Sequence, residues 1–119
     1  MTTILVVDDS ATSRLLFKAH MPKEGNYRVV EAANLAQALE RAAAEQPDLM
    51  FLDYNMPDQN GVEIAHSLRA AGVDATCFLL TANTQQSVLA SAQEAGMRGV
   101  LEKPITRAKL EQALAEAGL

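Results

Sequence analysis

The chain has 119 residues, 49% hydrophobic and 21% charged, which suits a single soluble globular domain with one core. Its 15 acidic residues against 10 Lys and Arg leave a net charge of −5; that argues against direct nucleic-acid binding, which needs a basic face, and against docking on an anionic membrane. The lone cysteine, Cys77, excludes an internal disulfide, no apolar run approaches the roughly 20 residues of a membrane span, and the N-terminus lacks the pattern of a secretory signal, so the expected location is the cytoplasm.

The first apolar run, Ile4–Val7, runs into two adjacent carboxylates, Asp8 and Asp9. A helix is expected within residues 11–21, with Asp9 or Ser10 as its cap and an end near Met21–Pro22. "YRVV" at 27–30 is a weaker strand candidate. Leu35, Leu39 and Ala42 or Ala43 share a helical face after Asn34, a good N-cap. Leu49–Leu52 is the next strand, and Ile64, Ala65 and Leu68 line a helix ending at Gly72. Phe78–Leu80 follows, with Cys77 beside it as a small core residue. Val88, Ala92 and Ala95 line a fourth helix ending at Gly96, with Asn83 or Thr84 as its cap. This Ser-, Gln- and Ala-rich helix has little to bury and should be the least securely held. "GVL" at 99–101 is the last strand, and Leu110, Ala113 and Leu114 line a final helix after Thr106. His20 and His66 have no metal-spaced partners and are expected at the surface or its boundary. Tyr54 reads as surface or partner contact, and the five methionines as core and edge packing.

Short apolar runs alternating five times with amphipathic helices imply parallel strands joined by right-handed crossovers, with helices on both faces. In such sheets ligands sit beyond the carboxyl ends of the strands. Asp8 and Asp9 follow the first run, Asp53 the third, Thr81 the fourth and Lys103 the fifth. All five polar residues should therefore meet at one edge. Three carboxylates held together need a positive partner, and an all-oxygen set favours Mg²⁺ or Mn²⁺ over Zn²⁺. A lysine and a threonine hydroxyl suit phosphoryl oxygens, and a carboxylate held there could attack phosphorus. Singly, each residue has a plainer role, as a cap, a strand end or a solvated cation; the coincidence of four strand ends sets those aside.

The segments "ILVVDDS", "DLMFLDYNMPDQNG", "LLTAN" and "GVLEKPI", in this order and spacing, resemble receiver domains of the response-regulator family, including single-domain chemotaxis regulators. The resemblance covers essentially residues 1–119 and implies a flavodoxin-like (βα)5 fold with strand order 2-1-3-4-5. It makes Asp53 the phosphoacceptor. Asp8 and Asp9 become the acidic pair for Mg²⁺, Asp9 directly and Asp8 through water. Asn55 offers its backbone carbonyl to the metal, while Thr81 and Lys103 hold phosphoryl oxygens. Ala82 leaves access for a phosphodonor, and the Lys103–Pro104 bond is expected to be cis. Pro57 and Gly61 shape the loop after Asp53. Ile105 and the exposed side of the first helix, near Arg14 and Leu15, become docking points for a histidine kinase or phosphotransfer domain. The domain is expected to be monomeric, with dimerisation possible on phosphorylation.

The chain departs from this pattern at Val100, where the family usually carries Tyr or Phe. A short branched side chain cannot act as an aromatic gate, so a smaller or differently built output change is expected. Three functions compete: a phosphorylation-controlled switch acting through an unknown downstream protein, a Mg²⁺-dependent phosphohydrolase, and a degenerate binding module. The "DDS" motif and an acceptor after the third strand point away from a haloacid-dehalogenase-like enzyme, and the complete polar set points away from a degenerate module. Among switch readings, a chemotaxis effector, a phosphorelay intermediate, a phosphate sink and the receiver of a larger regulator stay open.

Overall fold

The computed structural model describes residues 1–119. Strands and helices alternate as β1 (Thr2–Val7), α1 (Ala11–His20), β2 (Tyr27–Ala32), α2 (Leu35–Glu45) and β3 (Leu49–Asp53). They continue as α3 (Gly61–Ala70), β4 (Thr76–Thr81), α4 (Gln86–Glu94), β5 (Gly99–Glu102) and α5 (Arg107–Glu116). The strands form one parallel sheet in the order β2-β1-β3-β4-β5. This is the flavodoxin-like order that the resemblance implies. No helix is long and apolar enough to cross a membrane.

The central strands show no polar–apolar alternation because both of their faces are covered. Leu5, Val7, Met50, Leu52, Cys77 and Leu79 pack under α2, α3 and α4. Ile4, Val6, Leu49, Phe51, Phe78 and Leu80 pack under α1 and α5. On this second face the Phe51 ring lies 5.0 Å from that of Phe17 and stacks 5.5 Å from that of Phe78. Chain direction across the sheet reverses between β1 and β3, and the crevice beyond their carboxyl ends is where such sheets bind ligands.

Local chemistry sets most helix starts. Ser10, Asn34 and Thr106 cap α1, α2 and α5 by accepting from the backbone N–H three residues on, each such cap contributing about 1 kcal/mol. Asn60 and Glu63 form a reciprocal capping box at α3. The expectation that Asn83 or Thr84 caps α4 is corrected. Gln85 is the N-cap and makes no side-chain cap bond; the Asn83 side chain instead accepts from Gln85 N–H at 3.0 Å, inside the preceding turn. α4 is the shortest helix and the one whose N-cap makes no side-chain bond, but its two buried residues, Val88 and Ala92, match the two of α2 and exceed the one of α1. Ala71 and Ala95 are the C-caps of α3 and α4, and Gly72 and Gly96 follow them in the left-handed region at φ 88° and 75°, the usual place for glycine.

Gly61 opens α3 directly behind Asp53. A Cβ there would sit 2.6 Å from the Asp53 carbonyl oxygen and 2.7 Å from Leu79 Cδ1. Gly61→Ala should cost about 1–3 kcal/mol through overpacking and displace the end of β3. Urea unfolding, with amide NMR shifts at residues 52–55, checks both effects.

A candidate phosphoacceptor site at the carboxyl edge of the sheet

Three polar side chains are buried in this molecule: Asp8, Asp53 and Thr81, at 2%, 3% and 0% exposure. Asp8 follows β1, Asp53 ends β3 and Thr81 ends β4, so the parallel topology alone gathers them. The residue parity of the strands aims Asp8 and Asp53 to the α1 side, with Val6 and Phe51. Lys103 reaches them from beyond β5. Its Nζ lies 3.0 Å from Asp53 Oδ1 and 3.5 Å from Asp8 Oδ2. It also approaches Ser13 Oγ on α1 at 3.4 Å. The Lys103–Pro104 bond is cis.

Carboxylate oxygens of Asp8, Asp9 and Asp53 all lie within 4.8 Å of one another. One lysine therefore faces three acids. Burial pushes the Asp53 carboxyl above its usual range; Lys103 pulls it back, and the negative charge of Asp8 adds to the rise. For Lys103, burial favours the neutral amine, but contact with Asp53 and the charges of Asp53 and Asp8 outweigh it, and the ammonium is held above its ordinary value. Asp53 Oδ1 is buried, and the Lys103 ammonium at 3.0 Å is its charged partner.

The site therefore fits a hard divalent cation. Its donors are all oxygen, and three clustered carboxylates with one ammonium beside them leave the excess charge negative. Mg²⁺ binds oxygen at about 2.0–2.1 Å, so opposite ligands span roughly 4.2 Å and only small side-chain movements separate this cluster from coordination.

The other expected site residues occupy distinct places. Asn55 is exposed in the loop after β3, and Ala82 is exposed after β4. Thr81 does not hydrogen-bond Asp53; its hydroxyl donates to Asn83 O at 3.2 Å and accepts from Asn83 N–H at 2.9 Å. Val100 is half-buried on β5 and packs against the core under α2, α3 and α4. Tyr54 packs half-buried against that same core rather than standing at the surface. On α1, Leu15 and Leu16 are exposed at 62% and 54%. Leu16, Phe17, His20, Lys103 and Ile105 line a cleft of about 330 Å³ leading toward the acids. Arg14 does not join that surface. It is drawn inward onto Glu31 and the Asp8 carbonyl, a contact that sequence reasoning missed. The only sequence cue was a pair of cations, Arg14 and Lys18, one turn apart on α1.

The metal-free site has a definite pH signature. Because the folded carboxyl of Asp53 titrates above its unfolded value, the native state holds more protons over that interval. Stability falls as pH rises from about 4 through the folded pKa. Asp53→Asn should therefore be more stable than wild type in EDTA at pH 7.5, with the advantage vanishing toward pH 4. Paired urea melts across this range read the difference.

The comparisons with known proteins place this fold, with its buried acids and lysine at the carboxyl edge of the sheet, in one family. The response regulator receiver domain model matches residues 4–115, and the chain belongs to that family. It is 32% identical over 111 residues to chemotaxis protein CheY of Bacillus subtilis, covering 93% of this chain and 92% of that protein. It is 31% identical to sporulation initiation phosphotransferase F of the same organism, covering 93% and 89%. It is 35% identical to sensor protein EvgS of Escherichia coli, but over only 9% of that longer protein. Among solved structures, chemotaxis protein CheY4 of Vibrio cholerae superposes with a TM-score of 0.88 at 28% identity, covering 98% of both chains. The chain is thus a receiver domain of two-component signalling.

Proposed function

We propose that residues 1–119 act as one phosphorylation-controlled switch in which Asp53 accepts a phosphoryl group from a histidine kinase or histidine phosphotransfer domain. The observation that carries this reading is the buried Asp53 carboxylate at the end of β3, paired with the Lys103 ammonium and clustered with Asp8 and Asp9. The carboxylate oxygen attacks phosphorus; an O–P bond forms as the P–N bond to the donor imidazole breaks, and the imidazole leaves neutral because its other ring nitrogen carries a proton taken from solvent. Water later attacks, releasing inorganic phosphate and restoring the carboxylate. Asp8, Asp9, Asp53 and the Asn55 backbone carbonyl would hold Mg²⁺, or Mn²⁺, which when bound neutralises charge on the phosphoryl oxygens. Lys103 stays in place and pairs one phosphoryl oxygen. Thr81 exchanges its Asn83 contacts for another, pulling the loop before α4. The domain supplies position and charge, with no turnover of an external substrate beyond its own phosphorylation and dephosphorylation.

The exposed Leu15 and Leu16 and the cleft beside Ile105 are the docking surface for the phosphodonor protein, in the cytoplasm. Output passes to a downstream protein through the α4–β5–α5 face. Val100 makes the accompanying change smaller than, or built differently from, that of an aromatic residue. The likeness to sporulation initiation phosphotransferase F keeps a relay role beside a chemotaxis-type one. Incubation with acetyl phosphate and Mg²⁺, followed by intact mass, tests the reading. Wild type should gain one labile phosphoryl group, which does not form in EDTA and is absent from Asp53→Asn. Labelling that persists in Asp53→Asn would contradict it.

A further inference from the structure

We propose that Arg14 is a positioning residue for the cation site: it fixes the Asp8–Asp9 peptide and so sets how Asp9 is presented to the metal. Arg14 Nη1 donates to the Asp8 carbonyl oxygen at 2.6 Å, and its Nε donates to Glu31 Oε1 at 2.9 Å. Glu31 lies on β2 beside Val6, and Lys18 Nζ donates to its other oxygen at 2.7 Å. Two strands and one helix are thus tied at the point where β1 turns into α1.

Every polar group of Asp8 is then engaged. Its N–H donates to Ala32 O at 3.0 Å, and its carbonyl accepts from Arg14. Oδ1 accepts from Ser10 N–H at 2.9 Å, and Oδ2 faces Lys103 at 3.5 Å. Asp9 is the opposite case: exposed, it is placed by the peptide that precedes it. The planar guanidinium suits this task because its fork grips a carbonyl and a carboxylate at fixed angles, which an ammonium cannot do. Partners one step removed from a metal typically change affinity about 10–100-fold when lost.

Charge and geometry predict opposite signs. As a cation near three acids, Arg14 alone would weaken Mg²⁺ binding, so its removal would tighten it. As a positioning group, its removal weakens binding. The inference rests on the metal site proposed above. The experiment is a calorimetric Mg²⁺ titration of wild type, Arg14→Met, Arg14→Lys, Glu31→Gln and, as a remote control, Arg28→Met, which breaks only the Arg28–Glu45 pair on the far end of β2. Each variant's unfolding is followed in EDTA alongside.

Arg14→Met should bind Mg²⁺ about tenfold more weakly. Arg14→Lys should rescue little of that, Glu31→Gln should fall between, and Arg28→Met should match wild type. Binding by Arg14→Met at or above wild-type affinity would overturn the inference, as would full rescue by Arg14→Lys. If Arg14→Met does not fold, Arg14→Lys and Glu31→Gln decide, since wild-type affinity in both overturns it. Wild type that binds no Mg²⁺ would overturn the metal site itself, and this inference with it.

Discussion

Lys103→Met is expected to destabilise the metal-free protein by about 2–3 kcal/mol at pH 8, and by much less at pH 5. The lysine is the one cation within 4 Å of the buried carboxylates of Asp8 and Asp53. Removing one partner of a fully buried ion pair costs about 3–5 kcal/mol because the other charge is stranded. Lys103 keeps 28% of its side chain in solvent, so the lower end applies. The stranded acids have an escape: Asp53, already shifted upward by burial, shifts further and takes a proton. That escape is cheap at pH 5 and expensive at pH 8, which fixes the sign of the pH dependence. Mg²⁺ should recover part of the loss by replacing the ammonium. Urea melts at the two pH values, with EDTA and with Mg²⁺, read all of this. Equal destabilisation at both pH values would contradict the electrostatic origin.

Phe51→Ala is expected to carry the largest cost of any single truncation, about 3–5 kcal/mol. Phe51 is fully buried in the middle of β3. Its ring bridges Phe17 on α1 and Phe78 on β4 at 5.0 and 5.5 Å, and such aromatic contacts add about 0.5–1.5 kcal/mol each beyond area. Domains of this size have only about 5–15 kcal/mol in total. Phe51 also lies two residues before Asp53 on the same side of β3, so loosened packing loosens the seat of the Asp53 carboxylate. Guanidinium unfolding should show a lowered midpoint at unchanged slope. A loss below about 1.5 kcal/mol would mean that the α1 face closes over the cavity.

The fold was legible because its decisive strands are short, apolar and followed by polar residues. Val7–Asp8, Leu52–Asp53 and Leu80–Thr81 each mark where a buried strand reaches the ligand edge, and the structure places all three side chains there, buried. Strand ends were less legible. β2 runs on through Glu31 and Ala32, and β4 begins at Thr76, because ladder hydrogen bonds do not require apolar side chains. The start of α4 was misjudged for a local reason. Asn83 has good capping chemistry, but the Thr81 hydroxyl two residues earlier holds its backbone in a preceding turn, and that competing turn pushes the helix start on to Gln85. Arg14 shows a different limit. An exposed-looking cation on α1 is claimed by Glu31, 17 residues away, through the β1–β2 pairing that only the fold creates.

Trapping the phosphorylated side chain tests the central claim most directly. The protein would be treated with acetyl phosphate and Mg²⁺, reduced at once with borohydride, digested, and sequenced by mass spectrometry. An acyl phosphate is reduced to an alcohol, so an aspartyl phosphate leaves homoserine in its place. The account predicts homoserine at position 53 alone, with none formed in EDTA. Homoserine at Asp8 or Asp9, or a phosphoryl group that resists borohydride, would contradict it.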